Sequence, residues 1–134
     1  MNTMKQYPTN PEALSCPGWP RPDGLADAEV LSVSVVTVPA DYSAGVTGCR
    51  YLRIRVDAAQ AMLDRDVREL RLYSPRVTEG GEDLDAFTGC WWFSDTLTPG
   101  GGTDKPYTLT VGFRSRAGTR RLIVAFTRAE VIRG

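Results

Sequence analysis

Histidine is missing from all 134 residues. Its absence removes the Ser-His-Asp triad, the Cys-His pair and every histidine metal ligand. It also leaves no side chain whose unperturbed pKa lies near neutrality. Lysine is nearly absent, with Lys5 and Lys105 alone, so a Schiff-base or phosphate-cradling lysine has few candidates. Cys16, Cys49 and Cys90 are odd in number, widely spaced and without a C-x-x-C, which argues against a structural zinc site and a disulfide framework. Cys49 and Cys90 are expected to be buried in apolar strands. No apolar run approaches the roughly 20 residues that span a bilayer. The opening MNTMKQYPTNPEALSC lacks the apolar core of a signal peptide. The expectation is a cytoplasmic or virion protein, not secreted by a signal peptide, with no catalytic, metal or cofactor site and no membrane partner.

What remains is ordinary in amount and uneven in arrangement. The hydrophobic fraction of 42% suits a globular domain, and the net charge is zero. From Asp57 to Asp95 there are nine acids and four arginines, whereas from Asp104 onward seven basic residues meet only Asp104 and Glu130. An acidic middle therefore precedes a basic final third.

Residues 1–27 read as an irregular arm. Pro8, Pro11, Pro17, Pro20 and Pro22 exclude a helix or central strand, yet Tyr7, Leu14 and Trp19 are apolar cargo that a solvated tail does not need. Residues 28–134 read as one β domain. AEVLSVSVVTVPA puts Leu31, Val33 and Val35 on one face and Ser32 and Ser34 on the other. CRYLRIRVD sets Leu52, Ile54 and Val56 against Arg53 and Arg55 on a basic outer face. AAQAMLDRD, residues 58–66, is the one helix-like segment, with Asp57 as its N-cap. VRELRLYSPRV places Leu70 and Leu72 inward. YTLTVGFRSRAGTRRLIVAFTRAEVIR is a hairpin, with Tyr107, Leu109, Val111 and Phe113 on one face and Leu122, Val124 and Phe126 inward. The pattern predicts an antiparallel β-sandwich (jelly-roll or Ig-like) or a small barrel of 6–8 strands, with one short helix.

Few stretches carry chemistry. PGGGTDKPY has Asp104 before Lys105 and Pro106 after it, so it is no phosphate loop. EGGEDLD lacks the spacing of a calcium loop and reads as a solvated acidic turn. Asp64 and Asp66, two apart on the expected helix, would diverge and serve no common substrate. Arg114, Arg116, Arg120, Arg121, Arg128 and Arg133 crowd the terminal hairpin, Arg114 and Arg116 on one strand face. With zero net charge and no aromatic RNA-binding signature, nucleic acid is not the expected partner, and pairing with the protein's own acids is expected instead.

TGCWWFSD poses the sharpest question. Adjacent strand residues point to opposite faces, so Trp91 and Trp92 cannot share one core unless a bulge intervenes. Trp91 with Phe93 is the expected core face, which leaves Trp92 under the arm or at an interface. The candidate interface set is Trp19, Trp92, Arg53, Arg55, Arg114, Arg116, Glu82, Asp83 and Asp85. Three classes of function are compatible. The favoured one is a structural or interaction protein, a homo-oligomeric component of a larger assembly such as a bacteriophage head or tail. The alternatives are a small barrel enzyme or ligand binder of the cyclase or isomerase type, with a cavity lined by tryptophan and tyrosine, and an accessory module that docks on one partner protein.

Overall fold

A computed structural model of the chain describes residues 16, 18–99 and 106–134. The protein is mainly β. Eight strands, β1 (Glu29–Val38), β2 (Cys49–Asp57), β3 (Val67–Tyr73), β4 (Arg76–Glu79), β5 (Trp91–Pro99), β6 (Tyr107–Ser115), β7 (Gly118–Phe126) and β8 (Arg128–Arg133), are joined in one sheet. The order is β4-β7-β6-β5-β1-β2-β3-β8, and every pairing is antiparallel. The fold is therefore of the expected sandwich or barrel-like class.

The two ends of that order are covalently close. Only Ser74 and Pro75 separate β3 from β4, and only Thr127 separates β7 from β8. β3 with β8 and β4 with β7 are thus the two arms of one bent ribbon, and the sheet folds back on itself. The corner is held locally. Ser74 adopts a left-handed φ of 52°, Thr127 donates both N–H and hydroxyl to the Tyr73 carbonyl (3.0 and 3.2 Å), and Ser74 N–H reaches Arg50 O at 2.9 Å.

Period-2 apolar residues fill the enclosed space. Leu52, Ile54, Val56, Leu70, Leu72, Leu109, Val111, Phe113, Leu122, Val124 and Phe126 are all buried in one cluster, as the alternation predicts. Tyr107 packs against it, half-buried. The expected terminal hairpin forms between β6 and β7, while RAEVIR breaks away as β8. Cys90 is buried, but Cys49 at the start of β2 is only half-buried, contrary to expectation.

Four register shifts break the pairing; one lies in the short β4, between Val77 and Glu79, and the other three reset which residues face inward. In β1 the shift lies between Val30 and Ser32, so Val30 turns inward and Leu31 outward. This corrects the placement of Leu31 on the face of Val33: one extra residue in a strand reverses the parity of what precedes it. A second shift, between Val67 and Glu69, lets Val67, Leu70 and Leu72 all face the core. The third, in β5, shapes the candidate site.

The helix expected over residues 58–66 does not form. The described helical residues are two short 3-10 segments, Tyr42–Ala44 and Leu84–Phe87. Met62 N–H donates to Ala26 O (3.0 Å), and Leu63 and Asp64 N–H donate to Gly24 O (3.0 and 2.9 Å). Three backbone donors of this segment are thereby spent on residues of the arm, and Asp57 closes a turn onto Ala59 N–H instead of capping a helix.

Residues 18–27 are without helix or strand, as the prolines require. They lie beside β8 and cross toward β5. Cys16 Sγ donates to Ala129 O (3.2 Å), Trp19 stacks on Phe126 (centroids 6.5 Å apart), and Asp27 N–H bonds Trp92 O (2.8 Å). Tyr7, Pro8, Pro11, Leu14 and Pro17, together with the glycine-rich stretch 100–105, lie outside the described residues. No helix among the described residues is long and apolar enough to cross a membrane.

Candidate functional site

The β5 bulge decides the tryptophan question. Trp92 pairs with Phe113 and Ser94 with Gly112, so Phe93 is the extra residue. Before it the even positions Cys90 and Trp92 face inward; after it the odd positions Asp95 and Leu97 do. Trp92 is 2% exposed, while Trp91 and Phe93 stand 45% and 49% exposed. The expected assignment is reversed: Trp92 belongs to the core, and Trp91 and Phe93 form the outer face. Trp92 meets Phe113 edge-on with centroids 5.5 Å apart. Its indole N–H donates to Asp95 Oδ2 at 2.8 Å, so the one polar atom of the buried ring is satisfied. Burial pushes the Asp95 carboxyl above the usual aspartate range; the Trp92 hydrogen bond opposes this, and the charges of Asp23 and Asp64 add to it. Asp95 opens onto a cleft of about 270 Å³ between the arm and β5, walled by Trp19, Pro20, Pro22 and Leu97.

On the outer face of the sheet, one cross-strand row runs through Trp91. β1 supplies Glu29, paired in register with Trp91, and β6 supplies Arg114, paired with Trp91 on the other side. The order across the sheet is acid, tryptophan, base. Next along the strand lies Phe93, with the Arg114 guanidinium 4.0 Å from its ring centroid. Phe93 lies beside Gly112, at the margin of an open groove of about 450 Å³ that Thr119, Arg120 and Arg121 also line. Arg121 grips Glu79 with two 2.9 Å hydrogen bonds, holding that carboxyl below its ordinary range.

The predicted site residues scatter. Trp19 is 8% exposed and Trp92 is internal, so neither is available as surface. Arg53 and Arg55 do share the outer face of β2, where Arg53 lies opposite Arg71 and Arg55 opposite Glu69. Arg53 Nε and its cross-strand neighbour Ser34 Oγ are buried without hydrogen-bond partners among the described residues. Arg116 sits in the β6–β7 turn, not on a strand face with Arg114. Glu82, Asp83 and Asp85 are exposed around the Leu84–Phe87 turn. Only Arg114 reaches the aromatic face.

Arginine pairing with the protein's own acids is observed at several places. Arg71 meets Glu69 and Glu130, and Arg133 meets both Asp64 and Asp66. Asp64 and Asp66 therefore converge on one cation, because the helix that would have separated them is absent. Asp64 is buried and also accepts the Arg21 backbone N–H at 2.9 Å, which ties the arm to β8 through one carboxylate.

The outward placement of Trp91 and Phe93 and the inward placement of Asp95 escaped the sequence reading for a single reason. Cys90 and Leu97 are seven positions apart, an odd number, and both are apolar. For both to face inward an extra residue must sit between them, and that parity conflict was the available signal. Among the described residues, no group of three or more histidine, cysteine or acidic side chains is arranged to hold a metal ion. No family model, no curated protein and no solved structure matches the chain.

Proposed function

We propose that this chain is a non-enzymatic interaction protein that works as a repeated component of a larger assembly, of the kind found in a bacteriophage head or tail. The observation that carries the reading is the pair of large aromatics, Trp91 and Phe93, standing about half exposed side by side on one sheet face. Covering the remaining area of each ring, roughly 100 Å², is worth about 2–3 kcal/mol at about 25 cal/mol per Å². Aromatic residues flanked by arginine are what the centre of a protein interface is enriched in. The absence of histidine supports a role without acid–base chemistry at neutral pH.

Light scattering of the pure chain over a range of concentrations tests this. Association that rises with concentration, and that is lost in the double variant Trp91→Ser/Phe93→Ser, is the expected result. A wild-type chain that stays monomeric throughout would sink the proposal.

A further inference from the structure

We infer that the partner seated on the Trp91–Phe93 face is a second copy of this chain, related by a two-fold axis that runs along β5. The inference rests on the interaction reading above and specifies its geometry.

Glu29, Trp91 and Arg114 form one row across three strands. Neighbouring strands lie about 4.8 Å apart, so Glu29 and Arg114 flank Trp91 at a backbone separation of roughly 10 Å. Neither is joined to another charged side chain among the ion pairs of the described residues; Arg114 stacks on Phe93 instead. The face thus carries one unspent charge of each sign, on opposite sides of an aromatic centre.

A two-fold interface places the same patch on both copies. For two sheets packed face to face the axis lies in the interface plane, and two orientations keep the facing strands aligned. An axis along the row, across the strands, sets Glu29 against Glu29 and Arg114 against Arg114. An axis along the strand exchanges the two sides of the row, so that Glu29 of each copy meets Arg114 of the other. Trp91 then packs on its counterpart, and Phe93 does the same one step along. Only the second arrangement is self-complementary in charge. It fixes the relative direction of the strands: the two β5 strands run parallel, face to face, offset by the twist of each sheet.

Charge reversal reads this directly. Glu29 and Arg114 are both exposed, so Glu29→Arg and Arg114→Glu are tolerated by the fold, which the circular dichroism spectrum checks. Each variant alone places like charges at both contacts. Its self-association, followed by sedimentation velocity at low salt, should fall by at least ~10-fold. Mixed together, the two single variants should form heterodimers at least as well as wild type. In that pair the arginine introduced at position 29 of one copy meets the glutamate introduced at position 114 of the other, and the native Arg114 of the first meets the native Glu29 of the second. The double variant Glu29→Arg/Arg114→Glu should self-associate again. Association that Trp91→Ser abolishes but the single reversals leave unchanged would overturn the two-fold pairing while the interaction reading stands. Failure of the mixed variants to associate would overturn it as well. A monomeric wild type removes both.

Discussion

Trp92 and Asp95 are three residues apart in β5 yet face the same interior, joined by a 2.8 Å hydrogen bond from the indole N–H to the carboxylate. A regular strand would have sent them to opposite faces. The bulge at Phe93 brings them together, and in the same step turns Phe93 and Trp91 out to the surface.

The two adjacent tryptophans should therefore behave oppositely. Trp92→Ala empties a buried site and is expected to cost about 3–5 kcal/mol in urea unfolding. Trp91→Ala, measured at a concentration where the chain is monomeric, should cost clearly less, about 1–2 kcal/mol, because nearly half of that residue already lies in water. Equal losses at both positions would contradict the register described.

Asp95 predicts a pH dependence. Its folded pKa is raised, chiefly by burial, so between the ordinary aspartate range near about pH 4 and that raised value the folded state holds more protons than the unfolded state. Stability from this group is therefore full at low pH and is lost as pH rises through the folded pKa. Asp95→Asn keeps an acceptor for the Trp92 N–H and removes the buried charge. The variant should be more stable than wild type at pH 7, and its melting temperature should fall less between pH 4 and pH 7.

Asp64 is the arm's latch. It accepts Arg21 N–H and Arg133 Nη2, and a methyl group on Gly24 would overlap its Oδ2. Asp64→Ala is expected to destabilise by about 2–3 kcal/mol, since it leaves Arg21 N–H without its acceptor and Arg133 Nη2 with Gly18 O alone. Limited proteolysis should then cut within residues 18–27 faster than in wild type. Gly24→Ala should open the same segment by steric means.

The ribbon corner gives a smaller effect of opposite sign. Ser74 holds a left-handed φ of 52°, a conformation that disfavours a side chain by about 1–2 kcal/mol. Ser74→Gly relieves that strain against glycine's greater loss of freedom, about 0.5–1 kcal/mol, so thermal unfolding should show equal or slightly higher stability. Ser74→Val should lower it.

How far the sequence foretold all this depends on where period 2 runs uninterrupted. β2, β6 and β7 were legible because Leu52 to Val56, Leu109 to Phe113 and Leu122 to Phe126 alternate without a break. A bulge has no residue type of its own. Leu31, Arg68 and Phe93 look like ordinary strand residues, and only the partner strand's register exposes the extra position. The failed helix teaches the same point from the other side. Ala58, Ala61 and Met62 favour a helix locally, yet the arm's Gly24 and Ala26 carbonyls take the N–H groups that a helix would have used. The surface row was hidden for a related reason, since Glu29, Trp91 and Arg114 are brought side by side only by strand order.

The contact between Gly18 O and Arg133 joins residues 115 positions apart. During synthesis at about 5–20 residues per second, the segment around Gly18 precedes its clasp by roughly 6–23 s. Throughout that interval Trp19 has no Phe126 to stack on, and the Asp64 carboxylate has no Arg133. Closure of this protein must therefore follow translation of its last strand. A stalled or truncated chain that lacks β8 would lose the Gly18–Arg133 and Cys16–Ala129 contacts, so the start of the arm would be left without its clasp.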